Sequence, residues 1–198
     1  MRWVVLPLLY KIGIVLSTKN IVPSDEIVNA CRFSSNLYKN LYIPLGISYL
    51  EWENGGKCGT CYEISSNEGN FHGIVTSLCP DCERNELSLL SDQDLIVNTK
   101  AYEIPCPHWE NEKPKYRTLF YEQKLKIQIV DTERPVTSVS LTNYPDKLFR
   151  KTWDNFWMID DDLLIQFPLS ITCITATGKV DHVLIEDTNT YKVIDSFL

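Results

Sequence analysis

Polar and apolar residues alternate through Lys124, Leu125, Lys126, Ile127, Gln128 and Ile129. That period of two places Leu125, Ile127 and Ile129 on one face of an extended chain and predicts a strand with one buried side. Short β-rich runs follow at Thr137–Leu141, Leu163–Phe167, Ser170–Ala176, Val180–Ile185 and Tyr191–Ile194, with turn chemistry at Thr177-Gly178-Lys179. No helical period competes with them, and strands at this spacing without intervening helices predict a sandwich. The first half is patterned differently. Its apolar runs, such as Gly73–Thr76 and Tyr102–Ile104, are broken by turn residues at Asn54-Gly55-Gly56 and 67–70, which suits short strands joined by loops. Ser91, followed by Asp92 and Asp94, has the chemistry to start one helix. Between the halves, residues 105–114 carry three prolines and charges in place of an apolar rhythm and read as a linker. There is no internal repeat and no low-complexity tract.

Composition sharpens that division. With 198 residues and 44% apolar content the chain can bury a real core. Residues 20–114 hold 14 acidic against 6 basic side chains, and residues 115–198 hold 12 against 10, so the halves read as different bodies. A formal net charge of -7 offers no basic stripe for nucleic-acid phosphates or an anionic membrane surface, so neither is expected as a partner. No run reaches the ~18 apolar residues needed to cross a bilayer.

Residues 1–17 read as a signal peptide: Arg2 supplies positive charge, Trp3 to Tyr10 an apolar stretch, and Val15-Leu16-Ser17 a small-residue exit. Lys11 interrupts the stretch, which leaves a buried first helix or strand as the competing reading. Six of the seven cysteines fall between Cys31 and Cys106, a density that fits secretion and disulfides. The same residues permit a second interpretation. Cys58-Gly59-Thr60-Cys61 and Cys79-Pro80-Asp81-Cys82 are two CxxC pairs with the spacing of a four-thiolate zinc ribbon, against which stand the flanking Cys31 and Cys106. No Asn-x-Ser/Thr acceptor is present.

Ala30-Cys31-Arg32-Phe33, Tyr38 with the stretch to Leu50, and Gly55-Gly56-Lys57-Cys58-Gly59-Thr60-Cys61-Tyr62-Glu63-Ile64 resemble the N-terminal blocks of the expansin family. Gly73 to Cys82 is similar to the strand and loop that follow in microbial members, and Glu86 to Ser91 stands where they carry a leucine-aspartate-leucine-serine segment. In the second half Ile127-Gln128-Ile129, Arg134-Pro135-Val136 and Asp154-Asn155-Phe156-Trp157 are similar in order and spacing to landmarks of the carbohydrate-binding domain. The resemblance implies an all-β protein, with a six-stranded double-psi β-barrel over residues 24–112 followed by an immunoglobulin-like β-sandwich over residues 115–198. It also implies bridges Cys31–Cys58 and Cys61–Cys106, with Cys79–Cys82 as a local pair. Cys173, alone in a strand-like run, reads as a small buried hydrophobe.

The resemblance further implies a polysaccharide groove at Tyr62, Thr76, Ser77 and Ser88. At Ser77 and Ser88 the family carries aspartates; a hydroxyl can hydrogen-bond a glycan but cannot act as a general acid. Asp81, Asp92 and Asp94 read as loop and capping residues, so the two flanking carboxyls of a glycosidase are lacking and no hydrolysis is expected. In the second half the family's row of exposed aromatic rings meets Gln123 and Lys124, with Asp154 in place of a tyrosine. Trp153 and Trp157, four apart and hence on one face of a regular strand, are the expected replacement platform, with Phe156 turned to the core. His72, His108 and His182 are too scattered for a metal, and Asp160-Asp161-Asp162 reads as a solvated turn.

These readings lead to a secreted, monomeric, non-hydrolytic protein that binds cell-wall polysaccharide, β-glucan or a relative, with possible wall loosening and with no cofactor or metal. Two alternatives stand beside it. One is an intracellular interaction protein with zinc on Cys58, Cys61, Cys79 and Cys82; the other is a degenerate expansin-like module for a protein or small ligand.

Overall fold

The computed structural model describes residues 18–22, 29–33, 41–66, 69–89, 100–107, 114–121, 124–159 and 167–186. The expected signal peptide, the helix from Ser91, His108, Gln123, the acidic run at 160–162 and the strand at Tyr191–Ile194 lie outside them.

Six strands make the first body: β1 (Thr18–Val22), β2 (Ile43–Ser48), β3 (Cys61–Ser66), β4 (Gly69–Cys79), β5 (Glu86–Leu89) and β6 (Lys100–Ile104). They close into a barrel in the order β1-β5-β2-β4-β3-β6. The β1–β5 and β2–β4 pairs are parallel and the other four antiparallel, so the chain must cross the barrel rather than run up and down it. Closure removes every open sheet edge. Strand β1, which lies ahead of the expected boundary at residue 24, belongs to the barrel, because it joins β5 to β6. Leu45, Ile47, Ile64, Ile74, Val75 and Leu87 fill the interior at 0% exposure. A Cβ on Gly73 would sit 2.6 Å from Leu45 Cδ1, so only glycine lets β4 approach that packing.

Among the described residues the second body has eight strands in two four-stranded sheets. One, β11-β12-β8-β7, holds β7 (Lys115–Tyr121), β8 (Lys124–Val130), β11 (Arg150–Lys151) and β12 (Trp157–Met158). The other, β10-β9-β13-β14, holds β9 (Val136–Leu141), β10 (Tyr144–Leu148), β13 (Leu169–Thr175) and β14 (Val180–Ile185). Leu125, Ile127 and Ile129 of β8 meet Val139, Ile171, Cys173, Val183 and Ile185 of the opposite sheet in one apolar core. The period-two pattern of β8 thus does what alternation predicts. Pro145 sits in β10, an edge strand, where its missing N–H costs no ladder bond.

The two bodies are tied by polar contacts. The buried Gln128 amide donates to Cys31 O at 2.7 Å, Cys106 N donates to Glu133 O at 2.9 Å, and Arg134 pairs with Glu103 at 3.0 Å. Val130, from the end of β8, packs with the barrel's own core.

Candidate functional site

β4 carries a bulge between Val75 and Ser77: Leu45 faces Val75 and Gly46 faces Ser77, which leaves Thr76 as the extra residue. Its carbonyl accepts the Cys31 N–H at 3.1 Å, so the bulge is anchored to the first cysteine. On the other side of β2, Gly46 faces Ser88 of β5. Ser77 and Ser88 therefore flank a glycine at the same level of three adjacent strands, and Thr76 Oγ1 lies 3.2 Å from Ser77 Oγ. The sequence-expected hydroxyls do come together. They are not an open groove, however. Tyr62 and Ser88 are 0% exposed, Ser77 2% and Thr76 8%. Tyr62 is the clearest correction: it faces Gly73 and Glu103 across β3's neighbours and its ring belongs to the barrel core. Among the described residues its hydroxyl has no hydrogen-bond partner, and burial, aided by the Glu103 charge, pushes its pKa far up.

The barrel carboxylate Glu51 is firmly held: both oxygens take a bond from the buried Lys19 Nζ at 2.7 Å, and Asn85 N adds one at 3.0 Å. Burial raises its pKa, but the bonds from Lys19 and Asn85 outweigh that and leave it below the ordinary value. A carboxyl held ionised in this way cannot serve as a proton donor near neutral pH. Sequence reasoning had no signal for this pair, since Lys19 and Glu51 are 32 residues apart.

The cysteines settle into three bridges, Cys31–Cys58, Cys61–Cys106 and Cys79–Cys82. The zinc alternative is thereby overturned: Cys58 and Cys61 are bonded to partners outside the proposed ligand set, and no thiolate remains among the four. Asp81 approaches Cys79 and Cys82, but both sulfurs are already in a covalent bond. Cys173 is free and buried, its thiol pushed up to about 12 by burial and by the Asp181 charge.

The tryptophans divide. Trp153 is 56% exposed; Trp157 is 5% exposed and lies in the second core, which corrects the expectation of a two-tryptophan platform. The assumption of a continuous strand failed. Thr152 N donates to Phe156 O at 2.7 Å, Asn155 N donates to Thr152 O at 3.1 Å, and Asn155 has φ 64, so the chain turns between the tryptophans and loses the alternation. Phe156 is buried as expected, at 2%, with Arg117 over its ring. Asp154 is buried too, accepting from Thr152 Oγ1 at 2.5 Å with Lys126 at 3.6 Å. Sequence reading missed the exposed pair Tyr49 and Leu50, at 67% and 62% on a 3-10 turn spanning Tyr49–Glu51. Their segment reads locally as the end of a strand.

No family model matches the sequence, and no curated protein does. Solved structures do match in fold. The first is a crystal structure of an aspartate-to-asparagine mutant of the Clavibacter michiganensis expansin in complex with cellohexaose, with TM-score 0.70 and 14% identity over 88% of this chain and 92% of that one. The apo form of the same expansin matches with TM-score 0.70 and 14% identity, over 88% and 91%. The chain is thus nearly all-β with a closed six-stranded barrel, and expansins are among its structural neighbours. No helix among the described residues is long and apolar enough to cross a membrane.

Proposed function

We propose that this chain is a divergent expansin-like protein that holds a cell-wall polysaccharide, β-glucan or a related polymer, without cleaving it. The observation that carries the reading is the match to an expansin crystallised with cellohexaose, which spans most of both chains. On this reading the barrel is of the double-psi type and the paired sheets are the immunoglobulin-like carbohydrate-binding domain. The hydroxyls of Ser77 and Ser88, where the resembling family has aspartates, support a non-hydrolytic mode, because neither can donate or store a proton in glycoside cleavage. Three disulfides support export to an oxidising compartment.

Pull-down on cellulose, chitin and peptidoglycan, with reducing ends measured in parallel, tests it. Retention on at least one polymer with no reducing ends is expected; release of sugar would refute the non-hydrolytic mode, and retention on none would refute polysaccharide binding. The burial of Tyr62, Thr76, Ser77 and Ser88 favours a second reading, a module of this fold turned to a protein or small ligand. Retention on none of the polymers is the result it requires.

A further inference from the structure

The bridge within Cys79-Pro80-Asp81-Cys82 differs from the other two in what it holds together. Cys31–Cys58 and Cys61–Cys106 have sequence separations of 27 and 45, whereas Cys79–Cys82 has a separation of 3. A cross-link restrains the unfolded chain less the shorter the loop it closes, so opening this small ring takes least from the stability of the barrel. The fold keeps both cysteines in place without it. Cys79, the last residue of β4, stands in the ladder opposite Ser48 of β2. Cys82 O accepts from Ser48 Oγ at 2.8 Å, and the turn that follows is closed by Glu86, whose carboxylate accepts from Glu83 N at 2.7 Å. Once opened, the two sulfurs therefore remain neighbours and can rejoin. Their surroundings are unequal. Cys79 is 0% exposed and Cys82 6%, on either side of a turn whose Pro80 and Asp81 are exposed, and Asp81 Oδ1 lies 3.1 Å from Cys79 Sγ.

We propose that Cys79–Cys82 is a reversible thiol–disulfide exchange site that reacts with a dithiol, of the kind a disulfide oxidoreductase presents. One thiolate of the dithiol attacks Cys82 Sγ, the more exposed sulfur; the S–S bond breaks and its electron pair leaves on Cys79 Sγ. The second thiolate of the dithiol then attacks its own partner sulfur in the mixed disulfide and expels the Cys82 thiolate. The dithiol departs as a disulfide, and the chain has taken up two electrons and two protons. One of those protons rests on Cys79, whose S–H then donates to the Asp81 carboxylate, a hydrogen bond that the closed bridge cannot make. Asp81 is therefore a positioning residue that favours the open form. This exchange does not depend on glycan binding.

Limiting dithiothreitol added to the folded parent chain, quenched with iodoacetamide and read by peptide mass, tests the site. Cys79 and Cys82 should be alkylated roughly tenfold sooner than Cys31, Cys58, Cys61 and Cys106, while the near-ultraviolet circular dichroism of the barrel is kept. Glutathione disulfide should then restore the bridge. Three bridges that open together, or a Cys79–Cys82 pair that opens only as the near-ultraviolet signal is lost, overturn the proposal, and neither result needs a variant that folds. Single substitutions fix the direction of attack. With glutathione disulfide, Cys79→Ser should form a mixed disulfide at Cys82 roughly tenfold faster than Cys82→Ser forms one at Cys79; equal or reversed rates overturn the assignment of Cys82 as the attacked sulfur. Asp81→Ala should lower the equilibrium constant for opening by dithiothreitol roughly tenfold, as the loss of one charge-assisted hydrogen bond predicts. An unchanged constant overturns the part given to Asp81.

Discussion

Replacing the two tryptophans of the 153–157 segment one at a time should give opposite results. Trp157 is 5% exposed, pairs with Ile127 and Lys151 across β12, and carries the Lys151 ammonium 5.1 Å over its ring. Trp157→Ala leaves a cavity in the core shared by the two sheets and should cost about 3–5 kcal/mol, the lost cation–π contact with Lys151 included. Trp153, at 56% exposure, keeps its carbonyl for the Trp52 indole when truncated, so Trp153→Ala should stay within about 0.5 kcal/mol of the parent. In urea, at a slope of about 2 kcal/mol/M, the first loss moves the midpoint down by roughly 1.5–2.5 M and the second hardly at all. Matched midpoints for the two variants, or a larger drop for Trp153→Ala, would refute the placement of Trp157 in the core and the turn that puts it there.

Burial lowers the Lys151 ammonium to about 8, against a weaker opposing pull from Glu53, so the folded state holds this proton less tightly than the unfolded chain. The penalty is present in full below about pH 8 and is relieved as pH rises toward the ordinary value of 10.5. Lys151→Met should therefore raise stability at pH 7, by on the order of 2 kcal/mol, and lose the parent's relative gain between pH 8 and 10 in urea titrations. Thiol titration without reductant should count one reactive cysteine in denaturant and none in the native protein, because Cys173 is buried and six cysteines are bridged. More than one would contradict the pairing. Ser77→Asp puts a carboxylate at a site 2% exposed, 3.2 Å from Thr76 Oγ1, and should cost at least about 2 kcal/mol while releasing no reducing ends. Wall creep gained at unchanged stability would show that the site is open after all.

Local pattern carried much of the architecture. Leu125, Ile127 and Ile129 declare a half-buried strand because side chains alternate across any extended backbone, whatever sheet receives it. The shift in composition and charge near 105–114 marks a division because a barrel and a pair of sheets each need their own apolar set. The cysteine cluster is equally legible as a kind of chemistry. Which sulfurs join is decided elsewhere: Cys61 meets Cys106 because β3 pairs with β6 and sets Cys61 opposite Ile104, a neighbourhood 45 residues long in the chain. Tertiary structure also set the exposure of the expected site. Ser77 and Ser88 are neighbours through Gly46 only once β2 lies between β4 and β5, and the same closure that gathers them buries them. Trp157 turned inward because the hydrogen bonds of Thr152 and the left-handed Asn155 interrupt the strand, while Tyr49 stayed outside because a 3-10 turn follows β2. Periodicity reports which side chains share a face; what that face meets depends on contacts between residues far apart in sequence, which a local pattern does not encode.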